Sequence, residues 1–184
     1  MTIFRAAWLA VFCGLILFYS CSLRIVEPDR FPEAVRLHNV EPYVQEPEQC
    51  GPYALAAVQN FMGVEADAEE MSRRLYSPGA GGTLTMDLYL EAVRSGLPAR
   101  QASGTISKLR DGLDSDPVIV LFRYPELVGG SGHFIVVTGY SLEDSGFFIL
   151  WGDGGLSWMD ERRFQGMWSE SGKWMLLFDG KESP

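Results

Sequence analysis

Cys50 lies in Gln45-Glu46-Pro47-Glu48-Gln49-Cys50-Gly51-Pro52-Tyr53-Ala54-Leu55, where a polar loop hands over to an apolar helical pattern. The other two cysteines, Cys13 and Cys21, fall within and at the end of an apolar N-terminal segment. If that segment is removed and Cys21 is lipidated, Cys50 is the one thiol left on the exported domain. A lone thiol outside the cytosol has no intramolecular disulfide partner and stays open to oxidation, so its position reads as kept for reactivity. The chain has two histidines, His38 and His133. His38 sits upstream of the first helical pattern. His133 opens an apolar strand pattern after Gly129-Gly130-Ser131-Gly132, where a side chain can face a cleft. A thiolate is the working nucleophile, and a helix N-terminus and a neighbouring imidazolium both favour it. Cys50, directly before Gly51-Pro52, would have the first, and His133 would supply the second.

Acyl transfer also needs donors aimed at the developing oxyanion. The backbone N–H of Cys50 at a helix start is one. The Gln45 side-chain amide, five residues upstream, is another, whereas Gln49 is adjacent in sequence and expected to point elsewhere. A third group should orient the histidine and fix its tautomer. Asp153, in Trp151-Gly152-Asp153-Gly154-Gly155, is the best placed acid, with Asp160 as a fallback. Each has a plainer reading. A free cysteine is often a small buried hydrophobe, a histidine at a strand end is often only hydrogen-bonded there, and aspartate is common in Gly-rich turns. Gln45, Cys50 and His133 in one chain favour chemistry over the plain readings.

Elements of two kinds must position these groups. The first half reads helical. Pro52 suits a first helical residue, and Leu55, Val58, Phe61 and Met62 recur at helical spacing before Gly63. A second helix is predicted over Ala68 to Tyr76 after Asp67. A third is marked by Met86, Tyr89, Leu90 and Val93, capped by Thr85 and closed by Gly96, and a short fourth covers Thr105 to Leu113. The Gly79–Gly82 stretch lacks a following lysine and reads as a cleft-side loop, not a phosphate cradle. The second half reads as strands at 118–122, 133–140, 147–151 and 174–178, with connections short enough for antiparallel neighbours. Helices first and sheet afterwards is an α+β arrangement. Trp151, Trp158, Trp168 and Trp174 read as core and sheet cover, with Trp158 or Trp168 at a substrate groove.

The pattern Gln-x4-Cys-Gly-Pro-x-Ala-Leu, the Gly-rich loop before a helix, and Gly-His-Phe-x-Val-Val-x-Gly-Tyr together resemble the C39-like, papain-fold cysteine peptidases, most of all their stand-alone, lipoprotein-type members. The resemblance runs from about Val44 to Phe178. It implies a papain-like fold of N-terminal helices followed by an antiparallel sheet, with Gln45 as the oxyanion glutamine, Cys50 as the nucleophile and His133 as the base. Tyr53 stands where alanine is commoner, many members have one more residue between Gln and Cys, and Leu150-Trp151-Gly152-Asp153 lacks the family's usual Asp-Pro. Asp153 is therefore carried by its place in the sequence alone.

Residues 1–20 hold one charged side chain, Arg5, before an apolar run from Ala6 to Tyr19. A basic start, an apolar run of this length and the small Ser20 before Cys21 describe a secretory signal of lipoprotein type, or a signal-anchor. Residues 21–43, with Pro28, Pro32 and Pro42, read as a tether, and 44–184 as one peptidase domain. The expected place is the bacterial cell envelope, with the domain outside the cytoplasm and held to the membrane at its N-terminus. The net charge of −9 argues against nucleic acid as a partner. One Cys and one His make no convincing metal set, and no cofactor is implied. The expected activity is thiol-dependent hydrolysis of a peptide or protein substrate. Two alternatives use the same residues: a catalytically silent peptide-binding module, or an amidase or acyltransferase acting on cell-wall material.

Overall fold

Residues 24–25, 35–123 and 132–178 are described by a computed structural model of the chain. The expected signal segment 1–20, the lipid-acceptor Cys21, most of the expected tether and the 129–131 approach to His133 lie outside the described residues. Among the described residues no helix is long and apolar enough to cross a membrane.

The helical half follows its local signals. Helix α1 spans Cys50–Phe61 and begins two residues earlier than Pro52 suggests. It ends in a left-handed Gly63, whose N–H donates to Asn60 O while Val64 N–H donates to Gln59 O at 2.8 Å. That pair of bonds closes the last turn. Helix α2, Ala68–Leu75, is capped by Asp67, whose carboxylate accepts from the N–H groups of Glu69 and Glu70. Helix α3 spans Thr85–Arg94. Its cap is Leu84 without a side-chain bond, so Thr85 is the first helical residue and not the cap. Its buried face also differs from the expected one. Leu88, Glu91 and Ala92 are buried, while Met86, Leu90 and Val93 are exposed. The reason is electrostatic as well as apolar. Glu91 is buried because Arg74 of α2, at 2.8 Å, and Arg94 both reach its carboxylate, and this fixes which side of α3 turns inward. Helix α4, Ile106–Leu113, is capped by Thr105.

The sheet is antiparallel throughout. Strands β1 (Arg24–Ile25), β2 (Val35–Leu37), β3 (Ala99–Ser103), β4 (Val118–Arg123), β5 (Gly132–Ser141), β6 (Gly146–Leu150), β7 (Leu156–Asp160) and β8 (Trp174–Phe178) run in spatial order β1-β7-β6-β5-β4-β8-β3, with β2 also on β5. β3, β7 and a fifth helix α5, Glu161–Ser169, carry no clear sequence signal. β3 reads Ala-Arg-Gln-Ala-Ser and gains its strand conformation from full pairing with β8. Asp160, the fallback acid, is the cap of α5, its carboxylate accepting from Arg163 N–H at 3.0 Å. The segment expected as an arm is part of the fold from Val35 onward. Arg36 pairs with Tyr140, Val40 is buried, and His38 Nε2 donates to Leu113 O while its ring packs edge-on to Phe61.

Alternation along β4 and β5 splits the core in two. Leu121, Phe134 and Val136 face α1 and α3, whose Leu55, Val58, Leu88 and Ala92 cover them. Val120, Phe122, Ile135 and Val137 face α4 and α5 through Leu109, Leu113, Phe164 and Trp168. The central strands are apolar on both faces because helices lie on both. Phe164 is fully buried, with ring centroids 5.0 Å from Phe122 and 4.5 Å from Phe147. Phe164→Ala should therefore cost about 3–5 kcal/mol of stability, read as a lowered denaturation midpoint.

Candidate active site

Cys50 is the first residue of α1, and its place there is set by a close approach. A Cβ added at Gly51 would lie 3.2 Å from the Phe134 ring and 3.1 Å from Thr83 Cβ. Glycine lets the first turn of α1 settle onto β5 at this distance, where any Cβ would force Phe134 or Thr83 to give way by a few tenths of an ångström. With the turn seated, Phe134 N–H donates to Cys50 Sγ at 3.5 Å, a contact between residues 84 apart in sequence. The residue following His133 thus touches the sulfur directly. The first helical bond runs from Tyr53 N–H to Gln49 O, so the N–H groups of Cys50 and Gly51 are not consumed by the helix. Both favour a negative charge on the sulfur, as does Phe134 N–H. Burial acts the other way and is the larger effect: it pushes the Cys50 thiol up.

His133, at the start of β5, is half-buried. Its ring packs against the Trp151 indole with centroids 4.9 Å apart. Its Nε2 lies 2.9 Å from the backbone carbonyl of Trp151. A carbonyl can only accept, so Nε2 carries the proton and Nδ1 is the lone-pair nitrogen. Burial lowers the His133 pKa, while the Trp151 carbonyl and the charge of Asp153 partly oppose the shift. With the thiol pushed up and the imidazole pushed down, Cys50 is a thiol and His133 a neutral imidazole at neutral pH, not the ion pair that the helix start alone suggests.

The third partner comes from the chain before Cys50. Tyr43 to Gln45 runs extended along the turn after β6. Gln45 N–H donates to Gly152 O at 3.0 Å, Gly154 N–H donates to Tyr43 O at 2.9 Å, and Val44 bridges to Asp153. Gly152 has a φ of 88°, and a Cβ there would strike the Gln45 amide carbon at 2.5 Å. The Gln45 side chain therefore lies flat on the turn whose preceding carbonyl holds His133. Gln45 Oε1 and Gln49 Oε1 are both buried without a hydrogen-bond partner among the described residues. Asp153 is exposed, and its carboxylate accepts from Gly155 N–H at 3.2 Å. Its reach to His133 is through charge, while the hydrogen bond is made by the Trp151 carbonyl. That bond could not be read from residue types, because it is made by the backbone.

Around this centre, Tyr76 donates to Glu48 at 2.8 Å, tying the α2–α3 connection to the residues before Cys50, and Gly82 lies near Glu48 O. The Gly-rich stretch is thus at the cleft side, as its sequence suggests. Tyr53, Tyr43, Ala56 and Ala57 line a shallow groove along α1. Trp168 is fully buried behind the sheet, and Trp158 packs edge-on against Phe148 at 4.9 Å, so Trp151 is the tryptophan at the site. Among the described residues no group of three or more His, Cys, Asp or Glu could hold a metal ion.

Two substitutions test this geometry. Phe134 is buried and packed edge-on against Trp174 at 5.5 Å, so making room for a methyl group displaces a packed ring. Gly51→Ala should slow alkylation of Cys50 and cost about 1–3 kcal/mol in stability. Asp153→Asn removes a charge that raises the His133 pKa. The NMR titration of the imidazole should move to lower pH, with the Nε2 bond to Trp151 kept.

Residues 41–183 match the model of the Peptidase C39 family. No curated protein matches the chain. Among solved structures, a double glycine motif protease from an AMS/PCAT transporter, determined with its leader peptide, is 19% identical with a TM-score of 0.63, covering 77% of this chain and 92% of that one. A putative C39-like peptidase from Bacillus anthracis is 15% identical with a TM-score of 0.62, covering 80% and 98%. The interpain A cysteine protease of Prevotella intermedia is 14% identical with a TM-score of 0.55, covering 87% and 100%. These likenesses show the fold. The match over residues 41–183 shows the family: the chain belongs to the Peptidase C39 family and has a papain-like cysteine peptidase fold.

Proposed function

We propose that this chain is an exported, membrane-anchored cysteine peptidase that hydrolyses peptide bonds through Cys50 and His133. The observation that carries the reading is the contact of Phe134 N–H with Cys50 Sγ, which sets the nucleophile against the strand that bears the base. In this reading Nδ1 of His133 takes the thiol proton as sulfur attacks the substrate carbonyl carbon. The oxyanion is held by Cys50 N–H and the Gln45 amide. The proton passes to the departing amine, the C–N bond breaks, and water then releases the acyl group from sulfur. The Trp151 carbonyl holds the imidazole in the needed tautomer, and Asp153 steadies the imidazolium by charge. A peptide substrate is supported by the family and by the leader peptide bound to the AMS/PCAT protease. Export and anchoring rest on the Arg5–Cys21 segment of the sequence.

The resting pair is uncharged, so the active form is the one with neutral His133. Its depressed pKa places the acid limb of kcat/KM below about pH 6.5, with activity rising as pH rises through it. A peptide library incubated with the protein and read by mass spectrometry should show cleavage. Cys50→Ala should abolish it, and His133→Ala should reduce it by about a hundredfold or more. Unchanged hydrolysis in Cys50→Ala would falsify the reading. The raised thiol pKa favours one competitor, a silent peptide-binding module of the same fold. That reading predicts peptide binding without cleavage and no effect of His133→Ala on Cys50 alkylation. Peptidoglycan fragments in a parallel incubation separate a cell-wall amidase from both.

A further inference from the structure

One position in the turn after β6 touches both the base and the oxyanion donor of the proposed reaction. Gly152 is buried and has a φ of 88°. The peptide that joins it to Trp151 carries the carbonyl 2.9 Å from His133 Nε2. Its own carbonyl accepts from Gln45 N–H at 3.0 Å. Over its bare Cα lies the Gln45 side chain. A Cβ there would fall 2.8 Å from Gln45 Cγ and 2.5 Å from the amide carbon, and closer still to Oε1. The three atoms nearest to that Cβ all belong to Gln45, and the amide nitrogen is not among them. The carbonyl end of the amide therefore rests on the glycine, and the donor end is turned away from it.

This orientation decides whether Gln45 is useful. An oxyanion is held only by a donor, and Nε2 is the one donor atom of the side chain. Gln45 Oε1 is buried with no hydrogen-bond partner among the described residues, so no bond to Oε1 fixes which way the amide faces. Contact fixes it instead. The N–H bond to Gly152 O anchors the Gln45 main chain, and the bare Cα leaves a seat for the amide. A methyl group in that seat would push aside the end of a flexible side chain, which costs the fold little. It would also move the donor, and a misplacement of about 1 Å in a catalytic group can cost about a hundredfold in rate.

We propose that Gly152 is a positioning residue: its missing side chain seats the Gln45 amide with Nε2 free to hold the oxyanion, while the Trp151–Gly152 peptide holds His133. This inference rests on the proposed function, in which Gln45 is the oxyanion donor. A plainer account would keep glycine at 152 for its left-handed φ alone. Gly154 separates the two accounts. It has a φ of 87° in the same turn, but it is exposed, and a Cβ there would lie 3.0 Å from Cγ2 of Val44, which is 69% exposed and free to give.

The test compares Gly152→Ala with Gly154→Ala in peptide hydrolysis and in alkylation of Cys50 by iodoacetamide. Alkylation forms no oxyanion and has no use for the Gln45 amide. Gly152→Ala should lower kcat by about tenfold to a hundredfold with KM kept, and alkylation should stay within about twofold of wild type. Gly154→Ala should lower the thermal midpoint by a similar amount while keeping kcat within about threefold. In a Gln45→Ala background, adding Gly152→Ala should lower kcat no further, because the side chain it displaces is gone. Equal losses of kcat in the two glycine variants, or the same loss from Gly152→Ala with and without Gln45, would reduce Gly152 to a conformational role and overturn the inference. If Cys50→Ala abolishes hydrolysis and Gly152→Ala leaves kcat intact, the role of Gly152 fails alone. If the wild type cleaves no peptide, or Cys50→Ala still does, the proposed function fails and takes this inference with it.

Discussion

The seating of the first turn of α1 on the start of β5 is the contact on which the site depends. It brings a sulfur within reach of a backbone N–H 84 residues away and is eased by the absence of a side chain at Gly51. Every other feature supports that approach or exploits it. Phe134 is held by Trp174 on one side and by α1 on the other. The Gly-rich connection and the Tyr76–Glu48 bond brace the residues before Cys50. The sheet gives the approach its rigidity, because its central strands are covered on both faces and cannot shift without opening two cores.

The second constraint is the extended pairing of residues 43–45 with residues 152–154. Through it the chain on either side of the site is stitched to one turn, so that the Gln45 amide and the Trp151 carbonyl share a scaffold. This explains how the fold manages without an Asp-Pro in the usual place. A backbone carbonyl fixes the His133 tautomer as firmly as a side chain can, since it accepts and cannot donate. A carbonyl carries no full charge, so stabilisation of an imidazolium falls to Asp153 at longer range, from an exposed position where solvent weakens it.

The electrostatics of the pair follow from enclosure. Backbone N–H groups at the helix start favour a thiolate, yet desolvation outweighs them in the resting protein, and the same desolvation keeps the imidazole neutral. A site built this way stores its thiol uncharged and protected. In the proposed reaction the proton would leave the sulfur during attack, and donors near the sulfur would then matter more than they would for a standing ion pair.

Local patterns in the sequence determined much. Asp67 and Thr105 cap helices as their types require, Gly63 and Gly96 close helices in left-handed turns, and the unbroken apolar runs at 118–122 and 147–150 became central strands. Cys50 and His133 stood out because reactive types are scarce in this chain, and scarcity is a property of sequence. Only the tertiary structure decided the rest. Ala-Arg-Gln-Ala-Ser became β3 because β8 offered it a full ladder. The inward face of α3 was chosen by Arg74 and Arg94 around Glu91, not by the apolar residues that mark its exposed side. The arm before Val44 joined the sheet because β5 had an edge to pair. His133 met a carbonyl through a contact between residues far apart in the chain. Residue types announce side-chain chemistry, but backbone groups are the same at every position. Which of them face a thiol or an imidazole is fixed only when the chain closes on itself.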